Sequence, residues 1–150
     1  MTESQKDTIA HVAKVQFNLS AVIANLAERS TVHNRSKFEE PELSGYESLQ
    51  KSLQGVRHGT PDYRAALGAH EGVIMHHYAA NTHHPEHWPN GIADMSLLDI
   101  IEMLADWKAE NDRNGGDFGH SLDVSIARFH FDDDRIGEIL INTAKELGWL

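Results

Sequence analysis

The chain has 150 residues, no cysteine and a formal charge of −10, from 13 Lys and Arg against 23 Asp and Glu. That length supports one hydrophobic core, and the absence of cysteine excludes a disulfide framework, a thiol nucleophile, an iron–sulfur cluster and thiolate zinc sites. No apolar run reaches a membrane span of roughly 18 residues, and the first residues lack the basic-then-apolar order of a secretory signal. A cytoplasmic, soluble protein is expected, and the acidic balance argues against a duplex nucleic-acid surface.

Hydrophobic spacing predicts an all-α chain, a single domain over 1–150 built as a bundle of about six helices. The first helix, about 7–30, carries Ile9, Val12, Val15, Leu19, Val22, Ile23 and Leu26 in one apolar stripe. His11 and Asn18 lie seven apart beside that stripe, so they are expected to point inward or to its edge. Residues 31–44 read as a loop bearing His33-Asn34-Arg35-Ser36-Lys37, followed by a short helix over about 45–56. Thr60 as N-cap and Pro61 at the first helical position then open a helix expected to reach about Asn81. On it His70 and His77 stand almost two turns apart and share a face. Prolines and Asn90-Gly91 mark 82–92 as a loop.

The segment over about 94–111 is the most apolar helix and therefore central, yet Asp99, Glu102 and Asp106 share one side of it. Carboxylates so placed need a metal, a histidine or a hydrogen bond, unless they form the helix's one wet stripe. Gly115-Gly116 ends this helix, and two more follow, over about 119–129 and 132–147. Asp132-Asp133-Asp134 reads as capping of the last.

Histidine is the anomaly. There are 11, and six of them (His70, His76, His77, His83, His84, His87) fall within one short stretch. From Ala65 to Trp107 there is no Lys or Arg, although Glu71, Glu86, Asp94, Asp99, Glu102 and Asp106 all lie there. Imidazoles and carboxylates without a fixed cation suggest that a metal ion supplies the positive charge, as manganese, iron, cobalt, nickel or zinc would. The competing reading is a set of ordinary surface histidines on a solvated acidic face.

In chain order these residues run His11, His33-Asn34, His70 or His77, His83-His84 and a late Asp. That order resembles the HD-domain metal-dependent phosphohydrolases, all-helical proteins with a His, then His-Asp, then further His and a distal Asp. The run from His33 to Lys37 is similar to that family's His-Asp-x-Gly/Ser-Lys element, and His83-His84 with Asn90-Gly91 to the His-His loop of its cyclic-dinucleotide branch. The stretches 83–88 and 102–107 resemble an uncharacterised group of small phage and bacterial HD-like proteins.

The resemblance implies hydrolysis of a phosphate ester or anhydride of a nucleotide, a cyclic (di)nucleotide signal among the candidates, with one or two divalent transition metals. It implies His33, Asn34, His77, His84 and Asp106 as ligands, with His11, His70, His83, Asp99 and Glu102 as further candidates. Lys37 is then a phosphate contact, and Glu86 and His87 are general acid/base or ligand-orienting groups. Asn34 departs from the family's Asp, and a neutral amide bridges two cations poorly. The alternative is therefore an impaired member that sequesters a nucleotide or engages a protein partner, and either form is compatible with a homo-oligomer.

Overall fold

The computed structural model describes residues 1–131 and 135–150, and among these there are seven α-helices and no strand. The helices are α1 (Glu3–Val32), α2 (Glu42–Ser52), α3 (Pro61–Ala69), α4 (Glu71–Ala80), α5 (Leu97–Asn114), α6 (Phe118–Arg128) and α7 (Ile136–Glu146), with short 3-10 turns at Arg35–Phe38, Pro85–His87 and Gly91–Asp94. The all-α expectation holds. Two compact units are distinguished, Met1–Arg35 and Ser36–Leu150, and each is described by itself. The expected capping role of Asp132-Asp133-Asp134 lies outside the described residues.

The first unit is essentially α1. A capping box starts it: Thr2 Oγ1 accepts from Gln5 N at 3.2 Å, and Gln5 Oε1 accepts from Thr2 N at 2.8 Å. The stripe forms as the spacing predicts, but no residue of α1 is buried. His11 and Asn18 are exposed, correcting the expectation that they point inward.

In the second unit the core gathers Met103 and Leu104 of α5, Phe118, Leu122 and Ile126 of α6, Phe131, and Leu140 and Ala144 of α7. Trp107, Phe129 and Phe131 stack beside it, with ring centroids 5.4 to 6.4 Å apart. This packing fixes α5, so that its other side can present acids to the helices before it. Ser96 caps α5 through Asp99 N at 3.2 Å, and Gly115 ends it at φ 66°, a left-handed conformation that glycine adopts without steric cost.

The single helix expected from Pro61 to Asn81 is in fact two. The break falls at His70, whose φ of −115° and ψ of 18° leave the helical region. Gly68 and Gly72 flank it, and glycine weakens a helix on both sides of such a point. His70 and His77 therefore do not share one helical face. His70 instead bonds back to α3, with Nδ1 2.8 Å from Ala66 O, and across to α2, with Nε2 3.0 Å from Ser48 Oγ.

Candidate metal centre

The site begins with a close approach of α2 and α4. Gly45 faces Val73 so tightly that a Cβ on Gly45 would lie 2.5 Å from Val73 Cγ2. Ser48 with His70, Gly45 with Val73 and Glu42 with His76 each sum to 118, the signature of two antiparallel helices in register. The missing side chain at Gly45 thus lets Glu42, one turn earlier, reach the two histidines one turn beyond Val73.

Glu42 is fully buried and accepts three hydrogen bonds: from His76 Nδ1 at 2.9 Å, His77 Nδ1 at 2.8 Å and Ser36 Oγ at 2.9 Å. Burial alone would raise its pKa, but the bonds from His76, His77 and Ser36 outweigh it and hold the carboxyl below its ordinary value. A carboxylate only accepts, so the His77 proton sits on Nδ1 and its Nε2 carries a lone pair. That Nε2 faces His84 Nε2 at 3.0 Å. The contact is satisfied by a proton on His84 Nε2 or by a cation that both nitrogens ligate.

His83, almost fully buried, places Nδ1 3.3 Å from Glu102 Oε1. A second carboxylate thereby orients a second imidazole, leaving Nε2 as the ligand atom. His77, His83 and His84 each offer a ligand atom within 4.8 Å of the other two, and Asp106 offers a carboxylate oxygen within 4.8 Å of His83. Ligand atoms around a tetrahedral ion sit about 3.4 Å apart for bonds of about 2.1 Å, so the three imidazoles are spaced as a group that could hold one ion, with Asp106 beside His83. The donors, imidazole nitrogen and carboxylate oxygen, suit a divalent transition metal.

Electrostatics keep the imidazoles ready. Burial pushes His84 down to about 3, helped by His83, His77 and Lys37 and opposed by Asp106. Burial also lowers His77. Both rings are therefore neutral near neutral pH, the form that binds metal. Lys37 stands 4.9 Å above the Tyr46 ring, and Tyr46 meets the His77 ring edge-on at 5.6 Å. Burial raises the Tyr46 phenol, which stays protonated.

Of the residues singled out from sequence, the second unit brings together His77, His83, His84, Asp106, Glu102 and Lys37. His33 and Asn34 lie near the end of the first unit. His33 caps α1 with an extended ψ of 128°, and Asn34 has φ 55°, a left-handed conformation that Asn tolerates better than most residues. His11 is an exposed residue of α1.

Asp99 is taken up otherwise. It accepts from Thr82 Oγ1 at 2.7 Å and from Ser96 N and Oγ at 2.9 and 2.6 Å, so it pins the histidine loop to the start of α5. Glu86 accepts from Arg128 at 2.9 Å, and His87 Nδ1 donates to Tyr78 O at 3.2 Å. The residue that sequence reasoning missed is Glu42. Its histidine partners lie 34 and 35 positions away, and the clue to the contact was Gly45 inside a helix.

Residues 1–146 match the model of a family of unknown function, DUF5662, and the chain belongs to that family. No curated protein and no solved structure matches it.

Proposed function

We propose that this member of a family of unknown function is a metal-dependent phosphohydrolase acting on a nucleotide. The observation that carries this reading is the convergence of buried His77 and His83 with half-buried His84, two of the three oriented by carboxylates, beside Asp106 and Lys37. The order of histidines along the chain, similar to that of HD-domain phosphohydrolases, points to the same class of reaction. His77, His83, His84 and Asp106 would hold the ion. When bound, a divalent ion supplies Lewis acidity, acidifying water and taking up charge from phosphoryl oxygens.

The chain's own residues do the rest. Glu42 and Glu102 fix the tautomer and direction of His77 and His83, so that their lone pairs point to one place. Lys37, whose charge reaches His77 and His84, would attract a phosphate as a point charge. Tyr46 supports it from beneath and remains an O–H donor.

A second reading, a non-catalytic protein that sequesters a nucleotide, is favoured by Asn34, which stands where the resembled family has Asp. One experiment separates the two: the purified protein and Asn34→Asp are assayed on mono-, di- and cyclic nucleotides with manganese, cobalt or nickel. Metal-dependent release of phosphate or opening of a cyclic phosphodiester supports the hydrolase. Nucleotide binding without turnover in either protein supports sequestration, and neither binding nor turnover overturns both.

A further inference from the structure

α1 is the feature that the metal centre leaves unexplained. It is 30 residues long, about 45 Å at the α-helical rise, and none of its residues is buried. Ile9, Leu19 and Ile23 are 58%, 56% and 66% exposed, and Val12, Val15, Val22 and Phe17 are exposed with them. A helix of this composition does not sustain itself in water. Eight of its residues are Val, Ile or Thr, whose side chains lose rotamer freedom in a helix. Its local supports include a capping box, an exposed Lys6–Glu3 pair at 2.6 Å and an Arg29–Asn25 hydrogen bond at 3.0 Å. Such pairs contribute about 0.2–0.5 kcal/mol each, so the helix needs a packing partner.

The pattern of the stripe tells which kind. Val12, Val15, Leu19, Val22 and Leu26 alternate spacings of three and four, the 3.5-residue period of helices that wrap around each other. Ile9, Gln16 and Ile23 recur at seven on one flank, and His11, Asn18 and Asn25 at seven on the other. From Val15 to Ala27 there is no charged residue.

Charge then selects among partners. α1 holds Lys6, Lys14 and Arg29 against Glu3, Asp7 and Glu28, so it is neutral on a chain of −10. A nucleic acid or an anionic membrane calls for excess Lys and Arg, which this helix lacks. A second neutral helix with the same stripe meets no net repulsion. Two such helices in contact along about 45 Å, through the stripe and both flanks, bury on the order of the 800 Å² per partner that a stable interface requires.

We propose that α1 is the self-association element of this protein, its stripe packing against the same stripe of a second copy of the chain. The contact is isologous and closes as a dimer, since the same residues face each other across a two-fold axis. This does not depend on the metal reading.

The test is sedimentation of the full chain over a range of concentrations, beside Leu19→Glu/Ile23→Glu. The parent is expected as a dimer. The variant, with one carboxylate placed in the seam and one on its flank, is expected as a monomer whose association is weakened by at least ~100-fold. Should that variant fail to fold, Leu19→Cys, at the centre of the stripe, replaces it. The parent chain has no cysteine, so the introduced thiol is alone in each copy, and mild oxidation is expected to yield a disulfide-linked dimer. A parent that sediments as a monomer up to ~100 µM overturns the proposal, as does a folded double variant that remains dimeric or a Leu19→Cys variant that stays uncrosslinked.

Discussion

In α1 the aliphatic side chains are outside and nothing is buried, whereas around α4 and α5 the polar ones are inside: Glu42, His77, His83 and Asp99 are each at most 3% exposed. A stripe of Val, Leu and Ile is the ordinary signal for a core, and a run of histidines the ordinary signal for a wet surface. Both signals fail here, for one physical reason. Burial follows from what a side chain can be satisfied by, and polarity is only part of that. Glu42 and Asp99 each collect three hydrogen bonds, which offset the desolvation of a carboxylate. The stripe of α1 has no comparable partner in its own unit.

Breaking the polar region should have the largest effect. Glu42→Ala leaves His76, His77 and Ser36 without their common acceptor and is expected to lower unfolding free energy by about 3 kcal/mol in urea titration. Glu42→Gln keeps the shape but turns a donor toward an imidazole. It is expected to fold and to weaken metal affinity by about 10- to 100-fold, measured by competition with a chelator. Unchanged affinity in the Gln variant would show that Glu42 is a packing group with no hold on the site.

The helix approach that seats Glu42 can be tested next. Gly45→Ala drives a methyl into Val73 and is expected to cost about 1–3 kcal/mol while loosening metal binding. Gly72→Ala, on the facing helix but with nothing within 4 Å, is expected to leave binding alone and to be neutral or stabilising by about 0.5–1 kcal/mol. Equal effects from the two would remove the close approach as the cause.

Acid should act on the same region more gradually. An unfolded histidine takes its proton near 6.5, while folded His84 resists protonation to about 3. Between those values the unfolded chain binds more protons, so stability falls as pH falls through that window. Glu42, held below its ordinary 4.5, works in the same direction below that pH. The urea midpoint of metal-free protein is expected to be flat near neutrality and to drop progressively below about pH 6.5. A midpoint constant down to about pH 4 contradicts the buried neutral histidines.

Much of this was legible in the sequence, and the gaps have causes. The helical period, the Thr60-Pro61 start and the central place of the 94–111 segment are local signals, and each is present as an element of the fold. His77, His83 and His84 were visible as an excess of imidazole without fixed positive charge. The break at His70 was not, because a Gly on either side only weakens a helix, and the bonds His70 makes to Ala66 and Ser48 lie outside what spacing shows. Asp99 and Glu102 looked alike as acids on one side of α5. Their distinct roles, one tied to Ser96 and Thr82 and the other to His83, follow from a one-turn difference in height along that helix. Glu42 could not be found from spacing at all, since its partners are on another helix.

The central claim is that His77, His83 and His84 hold one ion together. Cobalt(II) is the direct probe, because its visible absorption reports a low-coordinate nitrogen and oxygen site and vanishes in favour of the pale aquo ion when that site is lost. Titration of metal-free protein is expected to saturate at one cobalt per chain with an intense visible band, and the band is expected to disappear in His84→Ala while the helical signal persists. A parent that gives only the aquo spectrum, or a His84→Ala variant that gives the parent's band, contradicts the claim.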